Sequence, residues 1–178
     1  MAASRCRSRR DRQRLAANLT FLGYGALDEG TWVATRPGED VDVLLDEAGV
    51  HYERFTAAHT AGTPGAMGVV RRAWDLTEIG QAYEQFVAEQ RPLLAGVTAR
   101  SPDEEAYAAR FRLVHAWRTF LFRDPQLPPA LLPERWPGTA AASFFDRHAA
   151  RLRPAADRYV EQCLDAGNRI ARQKGREK

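Results

Sequence analysis

Three cationic or titratable side chains recur at steps of three near the middle of the chain. They are Arg112, His115 and Arg118. In a helix they fall along one edge, and the other side of that predicted helix carries Phe111, Val114 and Trp117. Guanidinium groups pair with phosphate or carboxylate in forked geometry, so the edge suits a ligand with an anionic part and a flat apolar part. The alternative is a solvated face, or an ion-pair network with Asp124 and Glu134.

The motifs of common enzyme classes are absent from the sequence. It contains no HExxH, no CxxC, no glycine-rich phosphate loop and no GxSxG. The four histidines, His51, His59, His115 and His148, do not have the spacing of metal ligands, so we predict neither a metal nor another cofactor. An enzyme acting on CoA thioesters is a rival hypothesis, with His115 as its candidate base, but a protein without enzymatic activity is favoured.

A proline-rich segment follows this helix. Residues 124–138, DPQLPPALLPERWPG, contain five of the ten prolines, which exclude a regular helix or a central strand. Its leucines are too apolar for a free linker, so we expect an ordered loop. Trp136 near its end has two interpretations: it anchors the loop by burying its ring, or it stacks on a ligand.

The positive charge of the chain is concentrated at its ends. Residues 1–14 carry a net charge of +5 and residues 169–178 carry +4, so the total of +3 leaves −6 for residues 15–168. Phosphate binding by a folded face requires clustered Lys and Arg. Only the two ends meet that condition, either as solvated tails or as arms that touch phosphates.

The apolar stretches and the cysteines of the sequence predict where the protein is located. No apolar stretch approaches the length of a signal peptide core or the ~20 residues of a membrane span. Cys6 and Cys163 lie far apart and suggest no disulfide framework. We therefore expect a cytoplasmic protein without a membrane partner.

Apolar spacing and turn residues predict the order of the elements. The first part reads as a helix over 9–22 closed by Gly23, a strand around 31–33, a short helix in VDVLLDEAG and a weak strand over 50–59, with no strand before the first helix. The cluster TAGTPGAMG favours a domain boundary after residue 62. We therefore predict an α+β chain with domains at 1–62 and 63–178.

The second part is predicted to be helical. The stripe of Leu76, Ile79, Tyr83 and Phe86 indicates one helix, capped by Asp75 or Thr77. Ser101, Pro102 and Glu104 resemble a capping box that starts a second helix, with apolar residues at 107, 111, 114, 117 and 121. A third helix is expected over 140–172, kinked or split at Pro154.

Several of these segments together resemble the PaaX-type transcriptional repressors. The resemblance lies in RRAWDL at 71–76, the aromatic residues of AYEQF, RLVHAWRTF at 112–120 and the proline-rich segment 124–138. The earlier stretch LGYGALDEGTWVATRP is similar to the middle domain of the same family, a ferredoxin-like unit shaped like Cas2. The matches cover most of residues 9–160.

This resemblance implies a repressor of phenylacetate catabolism that releases DNA when phenylacetyl-CoA or a related aryl-CoA binds. It also implies an incomplete ferredoxin-like domain followed by a helical domain, without the N-terminal winged helix, so DNA is a partner only if such a head is present. A homodimer is expected. The alternative is a stand-alone effector-binding or dimerisation module without DNA activity. Five residues occupy the matching signature positions and take an effector-pocket or a scaffold role: Arg112, His115, Arg118, Asp124 and Trp136. Trp117 joins the candidate effector site as an apolar surface for the ring of an aryl-CoA.

Overall fold

The chain forms a small antiparallel sheet and a larger set of helices. The computed structural model describes residues 2–4, 8–36, 38, 40–57, 65–98 and 100–176, with side chains from Ser8 to Arg169 within these ranges. Close contacts divide the chain into two compact units, one comprising residues 1–80 and 119–136, the other residues 81–118 and 137–178. The α+β class is confirmed. The predicted boundary after residue 62 falls in 58–64, outside the described residues, and stays a prediction.

The first unit begins with alternating strands and helices. Its elements are β1 (Ala2–Ser4), α1 (Arg9–Phe21), β2 (Gly25–Asp28), β3 (Thr31–Val33), α2 (Asp40–Glu47) and β4 (His51–Glu53). The sheet order is β2-β3-β1-β4 and every neighbouring pair is antiparallel. The prediction that no strand precedes the first helix is wrong, because β1 pairs along its whole length with β4. β2 was also missed, and β4 is shorter than the predicted run.

Apolar residues of both helices form the core of this unit. Leu19, Val41 and Leu45 are fully buried, and they pack with Leu15, Tyr24 and Val50. Gly23 has the positive φ of 83° that a residue after a helix C-terminus adopts. The Tyr24 N–H then donates to the Leu19 carbonyl at 3.0 Å. The predicted end of the first helix is confirmed.

Three short elements complete the first unit. They are α3 (Ala66–Ala73), α6 (Phe120–Arg123) and a 3-10 turn at Pro129–Leu131. Phe122 of α6 stacks on Phe21 of α1 with ring centroids 4.3 Å apart. The Thr35 hydroxyl donates to the Pro125 carbonyl at 2.6 Å, and Leu127 is buried. The expectation that the proline-rich segment is ordered and excludes a regular helix therefore holds for residues 124–136, apart from the 3-10 turn, whereas Pro137 and Gly138 already begin the long helix that follows.

The second unit contains α5 (Asp103–Trp117), α7 (Pro137–Arg176) and the part of α4 (Leu76–Ala95) from residue 81 onward. The expected cap of α4 is confirmed, since the Asp75 carboxylate accepts from the Glu78 N–H at 2.9 Å. The capping box was wrong: Pro102 is the N-cap of α5, and the Ser101 hydroxyl accepts from the Thr98 N–H instead. α7 continues through Pro154 without a break in the helix.

Helices α5 and α7 of the second unit run antiparallel. Trp117 stacks on Phe145 and Tyr107 contacts Tyr159, so the end of one helix meets the beginning of the other. A two-pronged ion pair joins Arg158 to Asp103 at 2.6 and 3.0 Å and lowers the pKa of the Asp103 carboxyl.

A single glycine decides how closely α3 approaches the sheet. A Cβ added to Gly25 would lie 2.7 Å from the Ala73 Cβ and 2.8 Å from the Ala73 carbonyl carbon. Backbone cannot move aside cheaply, so we expect Gly25→Ala to lower the free energy of unfolding by about 1–3 kcal/mol. Gly68→Ala is the matched control, because its Cβ would meet nothing within 4 Å and Ala favours the helix by about 1 kcal/mol. Urea denaturation of both variants tests this, and equal stabilities would contradict it.

Candidate functional site

The predicted cationic edge lies on the outer side of α5. Arg112, His115 and Arg118 are all exposed. Phe111 and His115 stack with their ring centroids 6.2 Å apart and an angle of 12° between the planes. Tyr107 extends the row, with its centroid 6.4 Å from that of Phe111. This surface, Tyr107, Phe111 and His115 with the two arginines, is called the α5 outer row below.

The apolar stripe predicted for this helix is partly wrong. Phe111 is 61% exposed and shares a face with His115 rather than facing the core. Leu113 is fully buried, and Ala106 and Ala109 are also buried. Because residues four apart lie on one side of a helix, the spacing of Tyr107, Phe111 and His115 could have revealed the exposed row. The helix also ends at Trp117, so Leu121 and Phe122 belong to the separate α6.

Trp117 lies among three aromatic side chains of the second unit. Its ring centroid is 4.7 Å from that of Phe145, 5.4 Å from that of Phe86 and 5.9 Å from that of Tyr83. The stacked pair with Phe145 is inclined by only 14°. Aromatic pairs at these separations stabilise a fold beyond the area that they bury. Trp117 therefore contributes to the framework beneath the α5 outer row, whatever it does towards a ligand.

The remaining two predicted site residues lie in the first unit. Asp124 ends α6, where its N–H donates to the Phe120 carbonyl at 3.0 Å. Its carboxylate accepts from the Gln126 N–H at 2.7 Å, in a turn where Gln126 has a φ of 52°. Trp136 is half-buried at the end of the proline-rich segment. The structure thus brings four of the six residues together on one helix and places Asp124 and Trp136 in the other unit.

The alternative interpretation of Arg112 and Arg118 places them in a network of ion pairs. Within the second unit, and among the residues that the structure describes, neither Arg112 nor Arg118 makes an ion pair. Arg153 and Arg158 of the same unit do, with Asp157 and Asp103. The two guanidinium groups of the α5 outer row therefore have no ion pair with the described carboxylates of their own unit. An anion from outside the chain could take that place.

Neither a membrane-spanning helix nor a metal-binding cluster occurs in the described part of the chain. No helix there is long and apolar enough to cross a membrane. No group of three or more His, Cys, Asp or Glu side chains there could hold a metal ion. Cys163 is a free, exposed thiol, and Cys6 lies outside the described residues.

Comparison with known proteins identifies the class to which these helices belong. Residues 74–162, half of the chain, match the PaaX-like protein C-terminal domain family. They comprise α4 to α6, the proline-rich segment and the larger part of α7, and they include all six candidate site residues. The chain belongs to the PaaX-like family, which confirms the resemblance.

One curated relative is the transcriptional repressor PaaX of Escherichia coli (strain K12). It is 30% identical in an alignment that covers 81% of this chain and 48% of that protein. The chain therefore spans about half the length of the curated relative it matches. Among solved structures, an uncharacterized protein from Mycobacterium tuberculosis is similar at 21% identity and a TM-score of 0.46, covering 86% of this chain and 58% of that one.

Proposed function

We propose that the chain is the effector-sensing part of a PaaX-type transcriptional repressor that responds to phenylacetyl-CoA or a related aryl-CoA. The observation that carries this proposal is the family match over 74–162, together with the relative that is named a transcriptional repressor. Such a protein acts by binding rather than by catalysis. It works in the cytoplasm, where the regulated DNA lies.

The α5 outer row supplies the chemistry that such an effector needs. An aryl-CoA combines phosphate groups with an aromatic ring. Arg112 and Arg118 offer two guanidinium groups for phosphate. The exposed ring of Phe111, stacked on His115, offers a flat apolar surface. Asp124 and Trp136 stay in the proposal as members of the matched segment, in a pocket role or a scaffold role.

We further propose a ferredoxin-like, Cas2-like fold for residues 2–53. The support is the element order β1-α1-β2-β3-α2-β4 and the antiparallel strand order β2-β3-β1-β4, which are those of the split β-α-β-β-α-β unit.

Self-association is part of the proposal, with the homodimer as its simplest form. β4 pairs with β1 on one side, and no strand pairs with its other side among the described residues. An open strand edge is a template for pairing with another chain. Light scattering at micromolar concentration should give the mass of a dimer. A stable monomer would contradict this.

The charge distribution favours a second candidate, a stand-alone effector-binding or dimerisation module. Residues 15–168 carry a net charge of −6, and the basic residues concentrate at the two ends. DNA binding through such ends would lack base readout and should collapse with salt. We expect this chain by itself to give no operator footprint at physiological salt. A footprint that only the operator sequence competes away would exclude the stand-alone module.

Binding of the proposed effector is tested by thermal unfolding. A ligand that binds only the folded chain stabilises it by about 2.7 kcal/mol at a hundred times its Kd. We therefore expect phenylacetyl-CoA to raise the unfolding temperature in a saturable way. CoA alone and phenylacetate alone are the controls for its two halves. A chain whose unfolding temperature does not respond to any aryl-CoA would not be the sensing part proposed here.

A further inference from the structure

Helices α4 and α7 of the second unit carry a cluster of positive side chains away from the α5 outer row. The cluster consists of Arg91 on α4 with Arg147, His148 and Arg151 on α7. The guanidinium carbon of Arg91 lies 5.8 Å from the ring centroid of the buried Phe144. The His148 ring lies 4.4 Å from the same ring, centroid to centroid. Arg91 and His148 therefore both contact the Phe144 ring, which places them near each other.

Arg151 at the other end of this cluster is hydrogen-bonded to the end of α4. Its two terminal nitrogens donate to the carbonyls of Leu94 and Val97, each at 2.9 Å. These carbonyls lie at and just after the end of α4, where helix carbonyls have no intrahelical donors. A guanidinium has five N–H donors, so three are left for other acceptors. Arg151 is therefore a cation that is positioned by two hydrogen bonds and keeps N–H groups for a further acceptor.

No carboxylate neutralises the cluster among the residues that the structure describes. Arg91, Arg147 and Arg151 make no ion pair there, although Arg153 and Arg158 on the same helix α7 do. The Nδ1 atom of His148 is shielded from solvent and has no hydrogen-bond partner. Burial, and then the positive charges of Arg151, Arg147 and Arg91, lower the pKa of His148.

We propose that Arg91, Arg147 and Arg151 bind the phosphate group of a small molecule beside His148. Guanidinium groups are the preferred protein partners of phosphate, because their N–H groups match its oxygens in forked pairs. The positive charges of all three arginines act on His148, and a bound anion would offset them. This site lies on α4 and α7, and it is independent of the effector proposed for α5.

The test uses the full chain and inorganic pyrophosphate as the probe. At low ionic strength and a pH close to 6.5, pyrophosphate should raise the unfolding temperature more than sodium chloride of equal ionic strength. The double variant Arg91→Gln/Arg147→Gln should lose that difference. Arg151 is left in place because it also holds the end of α4. Arg71→Gln/Arg72→Gln on α3 removes the same charge from exposed positions and should keep the response.

Two results would overturn the proposal. One is a wild-type chain that responds to pyrophosphate no more than to chloride. The other is a response that survives in Arg91→Gln/Arg147→Gln, because the anion would then bind elsewhere. ADP in place of pyrophosphate separates the two sources of the phosphate: a stronger response to ADP indicates a nucleotide ligand, and an equal one indicates free diphosphate. Both of these responses support the site.

Proton uptake gives a second, independent readout. A bound anion raises the low pKa of His148, so binding near pH 6.5, the ordinary value for histidine, should take up protons. Calorimetric titrations in two buffers of different ionisation enthalpy measure that uptake. Pyrophosphate itself also titrates near this pH, so the uptake assigned to His148 is the difference between the wild-type chain and His148→Gln, and this difference should vanish well above pH 6.5. Uptake that is unchanged in His148→Gln would contradict the placement of the anion beside this residue.

Discussion

Replacing Trp117 with Ala should lower the free energy of unfolding of the second unit by about 3 kcal/mol, the lower end of the range for buried aromatic-to-alanine changes. Its ring stacks on Phe145 and contacts Phe86 and Tyr83 at centroid distances of 4.7 to 5.9 Å, so removal leaves a cavity in the middle of three aromatic rings. The lower end applies because Trp117 is half-buried. Denaturation by urea, followed by circular dichroism, measures the loss.

The control for Trp117→Ala is Phe111→Ala on the same helix. Phe111 is 61% exposed, so its replacement should change stability far less. The loss in Trp117→Ala should be the same with and without phenylacetyl-CoA if the residue acts as framework only. Similar losses in the two variants would show that the aromatic cluster around Trp117 does not stabilise the unit as its contacts indicate.

The double variant Arg112→Gln/Arg118→Gln should abolish the stabilisation by phenylacetyl-CoA and leave the unliganded chain almost unchanged. Hydrogen bonds to charged groups contribute about 1.5–3 kcal/mol each, so the loss of two should weaken binding by roughly a hundredfold or more. Stability without ligand should stay within about 0.5 kcal/mol, because both side chains are exposed and make no ion pair with the carboxylates that the structure describes in their own unit. Thermal unfolding with and without the effector measures both quantities.

Arg71→Gln/Arg72→Gln controls for the change in net charge and should retain the effector response. An Arg112→Gln/Arg118→Gln variant that melts many degrees lower without ligand would place these arginines in a structural ion network. The effector role of the α5 outer row would then have to be withdrawn. A variant that keeps the full response to phenylacetyl-CoA would place the effector elsewhere while leaving the regulator proposal intact.

Local sequence signals were sufficient where the determining interactions are themselves local. The end of α1 at Gly23 depends on the freedom of glycine at positive φ, and the start of α4 depends on the Asp75 carboxylate, whose N–H donor lies only three residues further on. The family resemblance also needed only the linear order of RRAWDL, RLVHAWRTF and the proline-rich segment, and the match over 74–162 confirms it. Each of these features is complete within a short stretch of chain.

The face of α5 could not be chosen from spacing alone. Helical periodicity fits two stripes, the large apolar residues at 107, 111 and 114 and the smaller set of Ala106, Ala109 and Leu113. The second stripe is the buried one. On α7, Ala141 and Ala156 are buried as well, and small side chains let two helix axes approach closely. Hydrophobicity alone predicts that the large residues form the buried face of α5. Close packing against α7 instead buries the face with the smaller residues.

The sequence by itself determined the family, the helical second part, the ordered proline-rich segment and the presence of an Arg112, His115 and Arg118 edge. Only the tertiary structure decided which residues share a surface. β1 is three residues long and carries no readable pattern, and it exists through ladders to β3 and β4, whose sequences lie far along the chain. The cluster of Arg91, Arg147, His148 and Arg151 likewise joins two helices that are separated by α5 in the sequence. Both depend on contacts between distant segments, and side-chain spacing within one segment does not encode such contacts.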